Sequence, residues 1–193
     1  MGKINFGDNM KHINIRGTPQ PIFSKNLNLP QYNILIVDTV LGEGVSLWSN
    51  VNIYGAEIGE NTKIGSFVEI GKNVKIGKNC KIESMVFIPE GVTIEDCVFI
   101  GPNVVFTNDK FPQACSEGQE LKEESNWEIT PTTIMKGASI GALSVILCGV
   151  TIGENALIGI GSTVVENVPA NTIIYGGKAK VRKYFVKHVQ VVK

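Results

Sequence analysis

Aliphatic residues recur at every sixth position from Ile58 through Ile64, Ile70, Ile76, Ile82, Ile88, Ile94 and Ile100 to Phe106. Upstream the same interval joins Leu41, Leu47 and Ile53, with one residue missing before Ile58. Downstream it resumes at Ile134 and runs through Ile140, Ile146, Ile152 and Ile158 to Val164. A helix repeats its apolar stripe every three to four residues and a strand every second residue, so neither produces this interval. Four places after most of these aliphatics stands a smaller inward candidate, such as Val45, Val51, Val68, Val74, Cys80, Val86, Val92, Val98, Val104, Val150 or Val168. Two inward positions in six, separated by polar residues and by Gly or Asn, describe a short strand and then a tight turn. Gly65, Gly71 and Asn73 suit turns with unusual dihedrals.

A six-residue period is the mark of a β-helix, whose coils hydrogen-bond to one another about 4.8 Å apart and bury a continuous core. With three sides and about eighteen residues per turn, the eighteen repeat units predict an all-β fold of about six triangular coils over residues 40–175. Such a stack has open edges at both ends, so caps are expected. Residues 1–39, with Pro19, Pro21 and Pro30 and weak periodicity, form an N-terminal extension that supplies one cap, with a strand expected between Tyr32 and Asp38. Residues 176–193 form a basic C-terminal tail that supplies the other.

The period stops between Phe106 and Ile134, which defines a loop insertion over 107–133. Loops longer than about 12–15 residues in a compact domain are functional or disordered. The insertion carries Asp109, Glu117, Glu120, Glu123, Glu124 and Glu128 against Lys110 and Lys122, a charge of −4 that suits a cationic substrate group. A solvated excursion without a chemical role also fits the composition, although Phe111 and Trp127 weigh against it.

The 18 basic and 18 acidic residues cancel, which argues against nucleic acid as the main partner. No acidic residue follows Glu166, and Lys178, Lys180, Arg182, Lys183, Lys187 and Lys193 give the tail a charge of +6. The opening MGKINFGDNM lacks the apolar run of a signal peptide, and no segment nears the roughly 20 apolar residues that span a bilayer, so a cytoplasmic protein without membrane insertion is expected. Cys80, Cys97, Cys115 and Cys148 show no paired spacing and are expected as reduced thiols, with no metal site.

The interrupted array, the segment IEDCVFIGPNVVFTNDKFP and the block TIMKGASIGALSVILCGVTIGENALIGIGSTVVENVPA resemble the left-handed parallel β-helix acyltransferases that N-acetylate nucleotide-linked amino sugars. The resemblance extends over residues 41–183 and points to the branch acting on dTDP-3-amino-3,6-dideoxyhexoses and UDP-3-amino-glucuronates. It implies a homotrimer that uses acetyl-CoA, with active sites between neighbouring prisms. It also implies that Glu90, Asn108 and Asp109 surround the sugar as the catalytic set. Ser84 and Met85 are further substrate-binding candidates. Gly141, Ala142, Gly159, Ile160 and Gly161 match the family's pantetheine track, and Lys178 and Lys183 are candidates to meet CoA phosphates. Turn chemistry explains the glycines equally well, and a solvated tail explains the lysines.

Met85 and Pro102 stand where many relatives carry histidines, and the chain has only His12 and His188, both outside the coils. This counts against related O-acetyltransferases, which need an imidazole to activate a hydroxyl, and against hexapeptide-type carbonic anhydrases, whose zinc takes three histidines. An amine, once neutral, needs no such base, so the resemblance implies N-acetylation without a histidine. The other reading is a non-catalytic β-helix scaffold whose loop and tail bind a partner. Trp48, Tyr54, Phe87 and Trp127 are candidates to stack on a nucleobase.

Overall fold

The computed structural model describes residues 12–21, 26–115, 120–122, 128–177 and 180–184. They form the left-handed parallel β-helix that the period and the resemblance predict, with about seven turns. Three sheets make its sides: sheet 1 with ten strands, sheet 2 with eight and sheet 3 with six. Most strands are two residues long, as in Lys63–Ile64 of sheet 1, Glu69–Ile70 of sheet 2 and Lys75–Ile76 of sheet 3. In each of these pairs the charged residue faces out and the isoleucine faces in.

All eighteen repeat aliphatics lie in the core, the most exposed being Leu41 at 8%. Parallel pairing stacks like on like, as in Ile64, Ile82, Ile100, Ile140 and Ile158 up the inside of sheet 1. The helix exceeds the six predicted coils because residues outside the six-residue phase extend its inner columns. Ile15, Ile34 and Ile36 are buried at one end and Ile174 at the other. Ile34–Val37, within the strand expected over 32–38, pairs parallel with Val51–Tyr54. Hairpins cover several open edges: His12–Ile15 with Thr18–Pro21, Leu27–Leu29 with Ile34–Val37, and Thr172–Tyr175 with Lys180–Tyr184. Among the described residues no helix is long and apolar enough to cross a membrane.

Small polar residues at inward positions are satisfied by the corners beside them. Thr62 Oγ1 donates to Gly77 O at 2.8 Å, Ser144 Oγ to Gly141 O at 2.8 Å and Ser162 Oγ to Gly159 O at 2.7 Å. Each bond meets a buried hydroxyl that would otherwise be costly.

The packing divides the four cysteines, with Cys80 and Cys148 buried and Cys97 and Cys115 exposed. Burial pushes the Cys80 thiol above its ordinary pKa, which lowers its thiolate fraction. Titration of the native chain with a disulfide-forming thiol reagent is therefore expected to give fast reaction at Cys97 and Cys115 only. Fast reaction at Cys80 or Cys148 would contradict this packing.

Candidate active site

From Leu41 to Val164 the coils are regular except at the corner between sheets 2 and 3. There the turn is one residue short at Tyr54–Ala56: Ile53 pairs with Ile70, 17 residues on, whereas Ile70 pairs with Ile88, 18 on. Gly55 closes that short turn at φ 58°, a left-handed conformation open to glycine. Three coils further up the same corner lies the insertion. Ile94 pairs with Ile134, 40 residues on where 18 is the rule, so the corner holds 22 additional residues. The returning chain lies over Gly91, whose carbonyl accepts the Thr132 N–H at 2.9 Å. A Cβ at Gly91 would collide with the Ile129 side chain.

The short turn and the overhang bound a cleft of about 310 Å³ lined by Tyr54, Glu69, Gly71, Lys72, Phe87, Pro89, Glu90, Asn108 and Ile129. Asn108 also lines an adjoining depression of about 480 Å³ with Asp109, Pro112, Gln113, Ala114, Leu121 and Lys122. Of the expected sugar-contacting residues, Glu90, Asn108 and Asp109 thus meet around one opening. Glu90 Oε1 accepts a hydrogen bond from Asn73 Nδ2 at 2.6 Å, and Oε2 lies 3.6 Å from Lys72 Nζ. Asp109 Oδ1 accepts the Phe111 N–H at 2.8 Å and so fixes the first turn of the insertion. Among the described residues the Asn108 amide, the Glu69 carboxylate and the Tyr54 hydroxyl have no hydrogen-bond partner. Two carboxylates, Glu69 and Glu90, against one ammonium, Lys72, leave the described lining of the main cleft at −1.

The bacterial transferase hexapeptide (six repeats) family matches residues 38–72, 55–90 and 73–108. Over residues 38–108 the chain carries the repeats of that family. It is similar to the dTDP-3-amino-3,6-dideoxy-α-D-galactopyranose 3-N-acetyltransferase of Aneurinibacillus thermoaerophilus, at 47% identity over 53 residues, 28% of each chain. It is also similar to the galactoside O-acetyltransferase of Escherichia coli, at 38% identity over 90 residues, 47% of this chain and 42% of that one. The chain therefore spans less than half the length of either curated relative. Among solved structures it shares its fold with a point mutant of AntD, an N-acyltransferase from Bacillus cereus, in complex with dTDP and coenzyme A. That likeness has a TM-score of 0.63 at 23% identity and covers 75% of this chain and 83% of that one.

Not every expected site residue of this hexapeptide-repeat chain gathers at that corner. Ser84 and Met85 lie before strand Phe87–Ile88, at the corner between sheets 1 and 2, and Glu90 lies after it. Gly141, Ala142, Gly159, Ile160 and Gly161 share the corner of Ser84 and Met85, further up the stack. The coil itself accounts for the glycines: a Cβ at Gly141 would come within 2.7 Å of Ile160 N, and one at Gly159 within 2.6 Å of Tyr175 Cβ. Gly161 turns at φ 63°. Lys178, the Lys183 side chain and Trp127 lie outside the described residues. Sequence reasoning missed Glu69, Lys72 and Asn73. The one available signal was spacing, since Glu69 and Lys72 stand one coil, 18 residues, before Phe87 and Glu90.

The corner between sheets 1 and 2 is strained and apolar. Phe67, Met85 and Leu143 hold φ of 60°, 62° and 60° while remaining 57%, 54% and 66% exposed. Asn50 and Asn103 occupy the same column, where asparagine bears this conformation more easily. Met85→Asn is accordingly expected to stabilise the isolated chain by about 1 kcal/mol. Its Tm should rise by about 2–4 °C in a thermal melt. A lowered Tm would mean that the Met85 side chain is packed against something.

Proposed function

We propose that this chain transfers an acetyl group from acetyl-CoA to the amino group of a nucleotide-linked amino sugar for surface-glycan synthesis. A dTDP-3-amino-3,6-dideoxyhexose is the leading substrate. The observation that carries this reading is the cleft under the insertion, where an uncommitted Asn108 amide faces a net-negative lining with aromatic walls. Such a lining suits a polar ring bearing a cationic nitrogen and disfavours an anionic group. The relative from Aneurinibacillus thermoaerophilus, which acts on a sugar of this kind, supports the choice of substrate.

In this reading Glu90 and Asp109 hold the sugar and Asn108 orients it. Glu90 presents a carboxylate braced by Asn73 and Lys72, and Asp109 keeps one oxygen beyond its turn-fixing bond. Acetyl-CoA supplies an activated thioester. The neutral amine attacks its carbonyl, a nitrogen–carbon bond forms as the carbon–sulfur bond breaks, and the proton lost by nitrogen leaves with the thiol. The chain's task is to align the amine and to stabilise the developing oxyanion by a backbone N–H, a contact worth about 3 kcal/mol. No imidazole enters, in keeping with the absence of histidine between His12 and His188.

The exposed apolar corner with Leu143, Ile160 and the glycine track suits a slender pantetheine arm, but on one chain it lies across sheet 2 from the sugar cleft. This separation supports a homotrimer in which one copy brings the cofactor track to the next copy's cleft. Sedimentation should then give three times the chain mass of 20.9 kDa, and a monomer would remove the proposed site.

Thiol release from acetyl-CoA in the presence of dTDP-3-amino-3,6-dideoxy-α-D-galactopyranose tests the activity directly. Failure with that sugar and with a panel of amino-sugar nucleotides would favour a binding scaffold. Asp109→Asn and Glu90→Gln are expected to raise the sugar KM about tenfold with kcat within about threefold. A fall in kcat of several decades at unchanged KM would identify a true general base.

A further inference from the structure

Three carboxylates border the opening where an amine would enter, and two of them already have structural duties. Both Glu90 oxygens have partners in their own corner, and Asp109 holds the first turn of the insertion. Glu69 differs. It stands on the outer face of strand Glu69–Ile70, with Asn52 paired on one side and Phe87 on the other. Among the described residues its carboxylate has no hydrogen-bond or ion partner. A strand held by ladders on both sides presents its side chain from a rigid floor, which suits a binding group better than a loop does.

The neighbours of Glu69 specify the charge of its ligand. Phe87 and Tyr54 line the same cleft, and an aromatic face attracts a cation through its ring quadrupole. A carboxylate beside such faces supplies the opposite charge and a strong acceptor for N–H donors. The one cation lining the cleft among the described residues, Lys72, already contacts Glu90. A diphosphate placed here would face two carboxylates, so the anionic part of a sugar nucleotide lies elsewhere.

We infer that Glu69 is the group that binds the protonated nitrogen of the substrate, and that this contact selects an amine over a hydroxyl at the acylated carbon. The inference rests on the transferase reading given above. Glu90 and Asp109 then serve the ring hydroxyls and the shape of the opening. A carboxylate contact favours the charged amine over the neutral nucleophile. Glu69 therefore contributes to capture more than to turnover, and its loss raises KM with little fall in kcat.

The test is calorimetric binding, without acyl donor, of two ligands to the wild-type chain and to Glu69→Gln. One ligand is dTDP-3-amino-3,6-dideoxy-α-D-galactopyranose and the other is its 3-hydroxy counterpart, dTDP-6-deoxygalactose. Glu69→Gln is expected to weaken the amine at least about tenfold and the hydroxyl compound less than about threefold. Equal losses for both ligands, no loss for the amine, or a wild-type chain that binds no amine would each overturn the assignment. Binding that depends on Glu69 without acetyl transfer on adding acetyl-CoA would leave the assignment standing and overturn the transferase reading instead.

Discussion

The structure depends on one constraint: each coil hydrogen-bonds to the coil beside it in parallel register, so every turn must bring the same inward residues back to the same column. Gly59 N–H donates to Ile76 O at 2.7 Å and Gly77 N–H to Ile94 O at 2.8 Å, one coil apart along the same edge. A one-residue slip within a strand would turn its isoleucine to solvent and its lysine or glutamate to the core. Changes of length are therefore confined to corners, where the chain is not bound by the ladder. The inner columns are mostly isoleucine for the same reason, with Leu41, Leu47, Phe106 and Val164 as the other aliphatic or aromatic members.

That constraint also explains where chemistry can arise. Between Leu41 and Val164, both departures from regular length, the short turn at Tyr54–Ala56 and the insertion after Phe106, fall on the corner between sheets 2 and 3. Between them Lys72, Asn73 and Glu90 occupy ordinary turns on adjacent coils, so their side chains reach one another along the axis. The outer column of sheet 2 is free of core demands. It changes along the axis from Asn52 and Glu69 to Phe87, Val105 and Val145. A rigid prism with one irregular corner thus yields a cleft whose floor is fixed and whose roof is supplied by the insertion.

The fold was legible in the sequence because inward positions obey a strict period. The coil count fell short because Ile15, Ile34, Ile36 and Ile174 join the core without sharing that period. Glu90, Asn108 and Asp109 were legible through resemblance, and the ladder places them at one opening. Ser84 and Met85 lie close to Glu90 in sequence, yet a strand between them puts them at a different corner. Glu69 was not legible, because an outward strand position accepts any solvent-tolerant residue. Its significance comes from the cleft that forms over it and from the partners that Glu90 and Asp109 have and it lacks.

The most direct measurement is a crystal structure of the chain with coenzyme A and dTDP-3-amino-3,6-dideoxy-α-D-galactopyranose bound together. The account predicts the sugar nitrogen in the cleft at the corner of sheets 2 and 3, within hydrogen-bond distance of Glu69, with Asn108 on the ring and a neighbouring copy's glycine corner carrying the thiol arm. A sugar seated on sheet 3, or a thiol arm that ends at another corner far from that nitrogen, would contradict it.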